Sequence, residues 1–514
     1  MSDSRTSNSI KNSITAVIAN IVTIIVAFIS RTVFIKILGP EYLGVDGLFG
    51  NVLMMLNFFE LGIGSSIVYN MYKPIAEQDV EKIKSLLLFY KKTYNLIAIV
   101  VFILGIMILP FISFFVGELK VDLNVYLVFF LLLLNTVNSY ILVYKRNLLY
   151  ANQKNYIINI VHTIYIIILN IIQISLLYIF KNYYIYLGIK IICQFFENII
   201  ISSICTHIYS YTKEPANKLE DSVKKSIFSK VKALIFHKIG SIAIYGTDNL
   251  IISKFIGVLY VGLYSNYFLI IDNIGKIFGQ TISSITSSVG NLLAVSDQKK
   301  NFEVFKTTRF INFWISTFTA ISLLVMIEPF IILWIGKEFL LSKFTLILLI
   351  FNYFQSTQRL SYATFKDSGG IWEKDKYVPL IEASLNIVLS IIFVRMIGLP
   401  GVFLGTIISG LSLWCYSYPK LVYKSLFGRS YIQYLKETLG YVLLFIFMAS
   451  LSYIICDFIT FDSNLVQLLF NGFIALCLPN VVIILLFFKT DEFKSFLSII
   501  NRILKKIKKV LEVI

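Results

Sequence analysis

Long apolar stretches alternate with short polar segments along the whole chain. A membrane-spanning helix needs about 20 mostly apolar residues, and the 514-residue sequence holds fourteen candidates. They are predicted at 13–38, 44–71, 93–116, 123–145, 156–180, 184–209, 234–256, 259–292, 311–335, 344–365, 378–398, 400–422, 437–460 and 464–488. The longest, 259–292, must tilt, kink or run beyond the bilayer. The pattern predicts an all-α integral membrane protein without a soluble domain.

A short repeat indicates how these spans are arranged. The segment Lys36–Gly44 (KILGPEYLG) recurs as Lys254–Gly262 (KFIGVLYVG), with Lys, Gly, Tyr and Gly in register. An even number of predicted spans separates the two copies, so both lie on the same side of the membrane. We therefore predict two six-helix lobes related by a pseudo-two-fold axis along the membrane normal, plus two C-terminal helices.

The same pattern sets the predicted domain boundaries. Residues 1–212 form the N-terminal lobe, and residues 213–426 form the C-terminal lobe with a basic linker at its start. Residues 427–514 contain spans 13 and 14 and a tail from Asp491 with one apolar and one basic face. We expect this tail to lie on the inner leaflet, attracted by anionic lipids.

Composition and charge agree with this class and give the orientation. Apolar residues make up 57% of the chain and charged residues only 15%. Most of the 46 Lys and Arg residues fall on segments that are cytoplasmic if the N-terminus is cytoplasmic. The outer segments carry only Lys36, Lys120, Lys181, Lys254, Lys337, Lys343 and Arg395. This bias predicts a multi-pass plasma-membrane protein with both termini in the cytoplasm. The net charge of +17 thus reflects topology, and no nucleic-acid partner is predicted.

Charged residues within spans are the candidate functional groups, because each is costly in the bilayer. The basic ones are Arg31, Lys190, Lys276 and Arg359, and the acidic ones are Glu60, Glu197, Asp248, Asp272, Glu328 and Glu382. Helical spacing predicts that Asp272 pairs with Lys276. It likewise predicts a pair of Lys190 with Glu197, whereas Glu328 and Glu382 lie near span ends and are expected to be neutralised by water.

Arg31 and Arg359 have no acid within four positions on their own helices. Each must therefore find a partner across the lobe interface, or a ligand, and an Arg guanidinium matches a phosphate bidentately. Glu60 lies in a stretch rich in Gly and Ser, where a kink or close helix packing is expected. Asp248 lies in a polar triplet at mid-span, and it serves as a proton or cation site or as an Arg counter-ion.

Other chemistries find little support in the sequence. The cysteines Cys193, Cys205, Cys415, Cys456 and Cys477 lie in separate apolar spans, which predicts no metal site and no cofactor. The three histidines are scattered, and no GxxxxGK[ST] phosphate loop is present, so neither catalytic residues nor ATP-driven transport are expected. The sequence predicts a transporter rather than an enzyme, with H+ and Na+ both open as coupling ions.

Three stretches resemble a known family. Phe49–Ala76, Ile251–Gly257 and Trp372–Gly405 are similar to the polysaccharide-transporter branch of the multidrug/oligosaccharidyl-lipid/polysaccharide (MOP) exporter superfamily. More narrowly, the chain resembles flippases of capsule or surface polysaccharide repeat units. The resemblance implies two six-helix lobes and two extra helices around a cationic cavity. It also implies an undecaprenyl-pyrophosphate-linked oligosaccharide substrate, passed from the inner to the outer leaflet by alternating access.

The resemblance extends to site residues and partners. By analogy, Arg31 and Arg359, with Lys276, are expected to hold the pyrophosphate and sugar. Glu60, Asp248 and Asp272 are the candidates for ion coupling or for counter-ions. The implied partners are the lipid-linked oligosaccharide, the bilayer, a polysaccharide polymerase and glycosyltransferases. A drug or small-molecule cation antiporter of the same superfamily is the main alternative, and a membrane polysaccharide polymerase is a weaker one.

Overall fold

Helices make up nearly all of the structure. The computed structural model describes residues 5–60, 63–117, 119–221, 223–225, 227, 246–283, 285–371 and 377–511. No β-strand occurs in these residues. The predicted class, an all-α protein with many apolar spans, is confirmed.

The helices up to residue 255 cover the predicted spans one to six and the described part of span seven. They are α1 (Arg5–Leu38), α2 (Pro40–Leu56), α3 (Ile63–Ala76), α4 (Val80–Ile108), α5 (Ile112–Val116), α6 (Val125–Ser139), α7 (Val143–Ala151), α8 (Asn155–Phe180), α9 (Tyr183–Ile208) and α10 (246–255). Short 3-10 turns lie at Asn57–Glu60, Leu109–Phe111 and Ser210–Lys213. The first part of predicted span seven, up to residue 245, lies outside the described residues.

The remaining helices cover predicted spans eight to fourteen and the tail. They are α11 (Val258–Ser283), α12 (Thr286–Val295), α13 (Gln298–Trp334), α14 (Lys343–Ser368), α15 (Val378–Ile397), α16 (Leu399–Ser412), α17 (Tyr431–Phe458), α18 (Asn464–Phe487) and α19 (Asp491–Leu511). A 3-10 turn lies at Lys337–Phe339, and α16 continues as a π-helix over Leu413–Leu426.

Nine helical segments among the described residues are long and apolar enough to cross a membrane, and the bent pair α6 and α7 makes a tenth. Two of the nine combine consecutive elements: Val80–Val116 contains α4 and α5, and Leu399–Leu426 contains α16 and the π-helix. The described parts of the other predicted spans are interrupted or more polar. For example, α14 buries Gln355 and Gln358, so its side chains lower the mean hydropathy without preventing a spanning helix.

Several spans predicted as single helices are broken. In the second, α2 ends at Leu56, a 3-10 turn covers Asn57–Glu60, and α3 begins at Ile63. The fourth bends by 43° between α6 and α7, where Leu142 has a positive φ of 64°. The long eighth span also divides, because α11 ends at Ser283 and α12 begins at Thr286.

Both copies of the repeat form the same turn. Gly39 separates α1 from α2 with a φ of 93°, and Gly257 separates α10 from α11 with a φ of 120°. Residues with a Cβ atom rarely adopt such values, so glycine is required at this point in each copy. The repeat is therefore a structural one: a helix, a glycine turn and a second helix.

The two turns also pack against each other reciprocally. A Cβ atom on Gly44 would overlap the carbonyl oxygen of Val258, and one on Gly262 would overlap the carbonyl oxygen of Pro40. Gly44 and Gly262 occupy equivalent repeat positions, and so do Pro40 and Val258. An exchange of this kind is what a local two-fold axis produces, and the small residues allow the backbones to approach closely. The two turns therefore lie at the same end of the helices, as predicted.

The helices group into two compact units, Met1–Ser265 and Asn266–Ile514. The second unit has an aromatic core at the ends of α13, α14 and α17 that are predicted to be cytoplasmic. Its largest buried side chains are Phe302, Phe305, Tyr362, Phe365, Trp414, Tyr418, Tyr423, Phe427 and Tyr434. The predicted three-part division of the chain stays a prediction.

The C-terminal tail forms the predicted helix and packs on the second unit. Phe493 of α19 stacks on Trp314 of α13 with ring centroids 5.9 Å apart. Lys306 of α13 forms an ion pair with Glu492 at 2.8 Å. The start of α19 is thus held by α13.

Candidate functional site

Arg31 lies in a polar cluster of the first unit. Its Nη1 donates to the carbonyl oxygen of Ser265 at 2.8 Å and to Ser265 Oγ at 3.2 Å. The Asp46 carboxylate lies close enough to act on Arg31 electrostatically and accepts a hydrogen bond from Tyr183 Oη at 3.0 Å. Arg31 thus joins α1 to α11, with a carboxylate of α2 beside it. A phosphate role for this residue stays a prediction.

Glu60 lies at the break of the second span, among tyrosines. Both Tyr94 and Tyr140 are electrostatic neighbours of its carboxylate. Tyr140 donates to Asn57 at 2.8 Å, and Tyr94 accepts a hydrogen bond from Asn147 at 3.1 Å. The Glu60 carboxylate thus lies near two phenols, each hydrogen-bonded to an asparagine amide.

Asp248 is buried in α10 of the same unit. Its side chain is 6% exposed, and its Oδ1 has no hydrogen-bond partner among the described residues. The neighbouring Asn249 Oδ1 is also buried without such a partner. A buried carboxylate oxygen without a partner suits a protonated carboxyl or a bound cation. The predicted role in ion coupling stays a prediction.

Glu197 has different partners from those predicted. It accepts a hydrogen bond from Arg146 Nη2 at 3.2 Å and contacts His162 Nδ1 at 2.9 Å, so the predicted pair with Lys190 is wrong. Lys190 and Glu197 are separated by two helical turns, whereas α7 and α8 bring Arg146 and His162 directly onto the carboxylate. The predicted fourth span ends at residue 145, so Arg146 falls in a predicted loop, and His162 has no other histidine or cysteine near it in the sequence. The sequence gives no local signal for either, because the contact joins three helices.

Asp272 and Lys276 form the predicted pair within α11. The carboxylate and ammonium are 2.5 Å apart, and the Lys276 side chain is 67% exposed. Acid and base stand one helical turn apart in the favourable order, so helix geometry alone brings them together. A phosphate role for Lys276 would require this exposed pair to open.

Arg359 is held by Glu382 within the second unit. The guanidinium and carboxylate are 2.7 Å apart, and Glu382 is almost fully buried. Two expectations are therefore wrong: Glu382 is not neutralised by water, and Arg359 finds an acid on α15, in its own unit. The acid was overlooked because it lies on the next helix along the chain, outside the four-residue window.

An ionic cluster around Arg309 was missed by the sequence analysis. Arg309 is 3% exposed. It pairs with Glu437 at 2.7 Å and donates to Tyr423 and Thr438. Tyr423 in turn donates to Glu437 at 2.6 Å. Arg309 was placed in a loop because the ninth span was predicted to begin at 311, whereas α13 begins at Gln298.

A sequence signal for this cluster does exist. Phe302, Phe305, Arg309 and Phe313 follow one another at steps of three and four residues, so they share one face of α13. An arginine on an otherwise apolar helical stripe must be buried with partners.

Among the described residues no three His, Cys, Asp or Glu side chains gather as a metal site.

No family model and no curated protein matches the sequence. Similar proteins are found by comparing the fold with solved structures. Lipid II flippase MurJ, in an inward closed conformation, matches with a TM-score of 0.65 and 17% identity, over 92% of this chain and 98% of its own. An inward-facing multidrug resistance MATE family transporter of the MOP superfamily matches with a TM-score of 0.60 and 15% identity, over 79% and 95%.

A mutant of the Vibrio cholerae MATE transporter VcmN matches at a TM-score of 0.51 and 12% identity, over 80% of this chain and 97% of its own. A lipid II flippase and MATE family transporters thus share this arrangement of helices. The chain therefore shares its overall helical fold with these flippase and MATE transporter structures.

Proposed function

We propose that this protein is a flippase that moves undecaprenyl-pyrophosphate-linked oligosaccharides from the inner to the outer leaflet for capsule or surface polysaccharide synthesis. The observation that carries the proposal is the match to a lipid II flippase over 92% of this chain and 98% of that one. The MATE match leaves about a fifth of this chain without a counterpart. A flippase whose cargo is a lipid-linked sugar is therefore the better guide to function.

The physical task fits the charged residues. Unaided transfer of a pyrophosphate through hydrocarbon would expose charges that the lipid cannot solvate. In this proposal, Arg31 is the leading phosphate ligand, because an Arg guanidinium stays charged in a low-dielectric site. Arg359 and Lys276 bind phosphate when their pairs with Glu382 and Asp272 open or share the ligand.

The acidic groups complete the proposed cycle. Glu60 and Asp248 are the candidates for binding H+ or Na+, and Asp272 exchanges its lysine for a cation only when the pair opens. In this proposal, binding or release of a cation by these acids changes how strongly Arg31, Arg359 and Lys276 bind phosphate, and this change releases the substrate. A polysaccharide polymerase and glycosyltransferases are the partners that this substrate requires before and after transfer.

A cationic-drug antiporter is the second candidate, favoured by the MATE match at a TM-score of 0.60. A site for cationic drugs needs carboxylates that are available to the ligand. Against this, Glu197, Asp272 and Glu382 each have a basic partner within hydrogen-bonding distance. These three carboxylates are therefore not available to a cationic drug while their pairs are closed.

Reversing the charge of Arg31 tests the two functions against each other. We expect Arg31→Glu to reduce surface polysaccharide by more than about tenfold. In this proposal Arg31 pairs with the substrate phosphate, and loss of one member of a buried charge pair typically costs about 2–5 kcal/mol. Lipid-linked oligosaccharide should accumulate in the inner leaflet, and Arg31→Lys should retain part of the activity. Protein levels in the membrane and sensitivity to cationic drugs are measured in the same cells. Normal export by Arg31→Glu, together with altered drug sensitivity, would overturn the flippase in favour of the antiporter.

A further inference from the structure

A cavity of about 380 Å³ lies in the second unit, beside the start of the C-terminal helix. Its lining includes the cations Lys306, Arg309 and Lys436 and the carboxylates Glu437 and Glu492. These residues lie in the third and fourth turns of α13, the second turn of α17 and the first turn of α19. The starts of all three helices are predicted to be cytoplasmic, so the cavity is expected near the inner-leaflet headgroups.

Three cations and two carboxylates line this cavity, so one cation has no carboxylate of the lining to pair with. Arg309 is neutralised by Glu437 at 2.7 Å, and Lys306 by Glu492 at 2.8 Å. Burial acts to raise the pKa of Glu492, but the hydrogen bond and charge of Lys306 outweigh it and hold this pKa below its ordinary value. Lys436 forms no ion pair with a described residue. The cavity therefore has a net charge of about +1, which one phosphodiester monoanion neutralises.

The surroundings suit a lipid rather than a soluble anion. Leu439 and Leu443, on the adjoining surface of α17, are 54% and 65% exposed, as expected for side chains that face acyl chains. Gly440 lines the cavity, and a Cβ atom placed on it would have no neighbour within 4 Å, so there is open space beside α17 at this point. A headgroup can therefore enter while its tails remain in the membrane.

We propose that this cavity binds the phosphate of an anionic inner-leaflet phospholipid, with Lys436 as its main charge contact. Basic cavities between membrane helices on the cytoplasmic side are a general means of holding anionic headgroups. The site is separate from Arg31 and Arg359, and it does not depend on the transported substrate. A lipid bound here would bridge α13, α17 and α19, and so fix the tail helix to the second unit.

Native mass spectrometry of the purified full-length protein tests the site with phosphatidylglycerol, using phosphatidylcholine as the neutral reference. We expect one phosphatidylglycerol beyond the phosphatidylcholine background. In Lys436→Gln its affinity should fall about fivefold, the usual effect of removing one lysine near an anionic lipid. Lys424→Gln is the matched control, because Lys424 is exposed, also at a predicted cytoplasmic helix end, and absent from the cavity lining.

A second variant fills the open space beside Gly440 and leaves the charge of Lys436 unchanged. Gly440→Leu should block the bound lipid, and it should not impair folding because leucine favours a helix more than glycine does. Equal lipid preference in the wild type, Lys436→Gln and Gly440→Leu would overturn the proposal. Competition by millimolar inorganic phosphate would also overturn it, by assigning the cavity to a free anion.

Discussion

Replacing Gly44 by alanine is expected to destabilise the protein markedly, although only one methyl group is added. That methyl would overlap the backbone carbonyl of Val258, and a backbone atom cannot rotate away as a side chain can. Overpacking of this kind typically costs about 1–3 kcal/mol. The midpoint of thermal unfolding of the detergent-solubilised protein should therefore fall by several degrees.

The reciprocal contact supplies the controls for this prediction. Gly262→Ala should have a similar effect, because its methyl would overlap the carbonyl of Pro40. The double variant should cost less than the sum, since separation of the backbones by one methyl relieves the other. Gly50→Ala, in the same helix α2 but with open space around it, should be neutral or slightly stabilising. Unfolding midpoints that are equal for Gly44→Ala and Gly50→Ala would contradict the close contact.

Loss of Arg359 should reduce stability even more, because it strands a buried carboxylate. Glu382 is 3% exposed and lies 2.7 Å from the guanidinium. Breaking a buried ion pair by removing one partner typically costs about 3–5 kcal/mol. We expect Arg359→Met to lower both the unfolding midpoint and the amount of protein in the membrane, and therefore export as well.

A paired variant separates the structural role of Arg359 from its role in transport. Arg359→Met combined with Glu382→Leu leaves no buried charge, and such replacements are often neutral or stabilising. If Arg359 binds substrate, this double variant should be stable yet fail to export polysaccharide. Normal export by the double variant would limit Arg359 to holding α14 and α15 together. An unchanged unfolding midpoint for Arg359→Met alone would contradict the buried pair.

The sequence predicted the partner of a charged group correctly when the two residues are close along the chain, and it failed when they are far apart. Asp272 and Lys276 were predicted correctly because four residues of helix fix their separation. Glu197 was given the wrong partner, because Arg146 and His162 reach it from other helices. Arg309 was not recognised at all, because the span to which it belongs begins earlier than hydropathy indicates.

The sequence by itself determined the class, the location of the spans and the turn in both repeats. These are local properties: an apolar run must be long enough to cross a bilayer, and a positive φ at Gly39 and Gly257 excludes most other residues. Only the tertiary structure decided where the spans break and which charges meet. Contacts such as Arg359 with Glu382, or Arg309 with Glu437, depend on how each helix is rotated and packed against its neighbours, and hydrophobic periodicity alone does not specify that rotation.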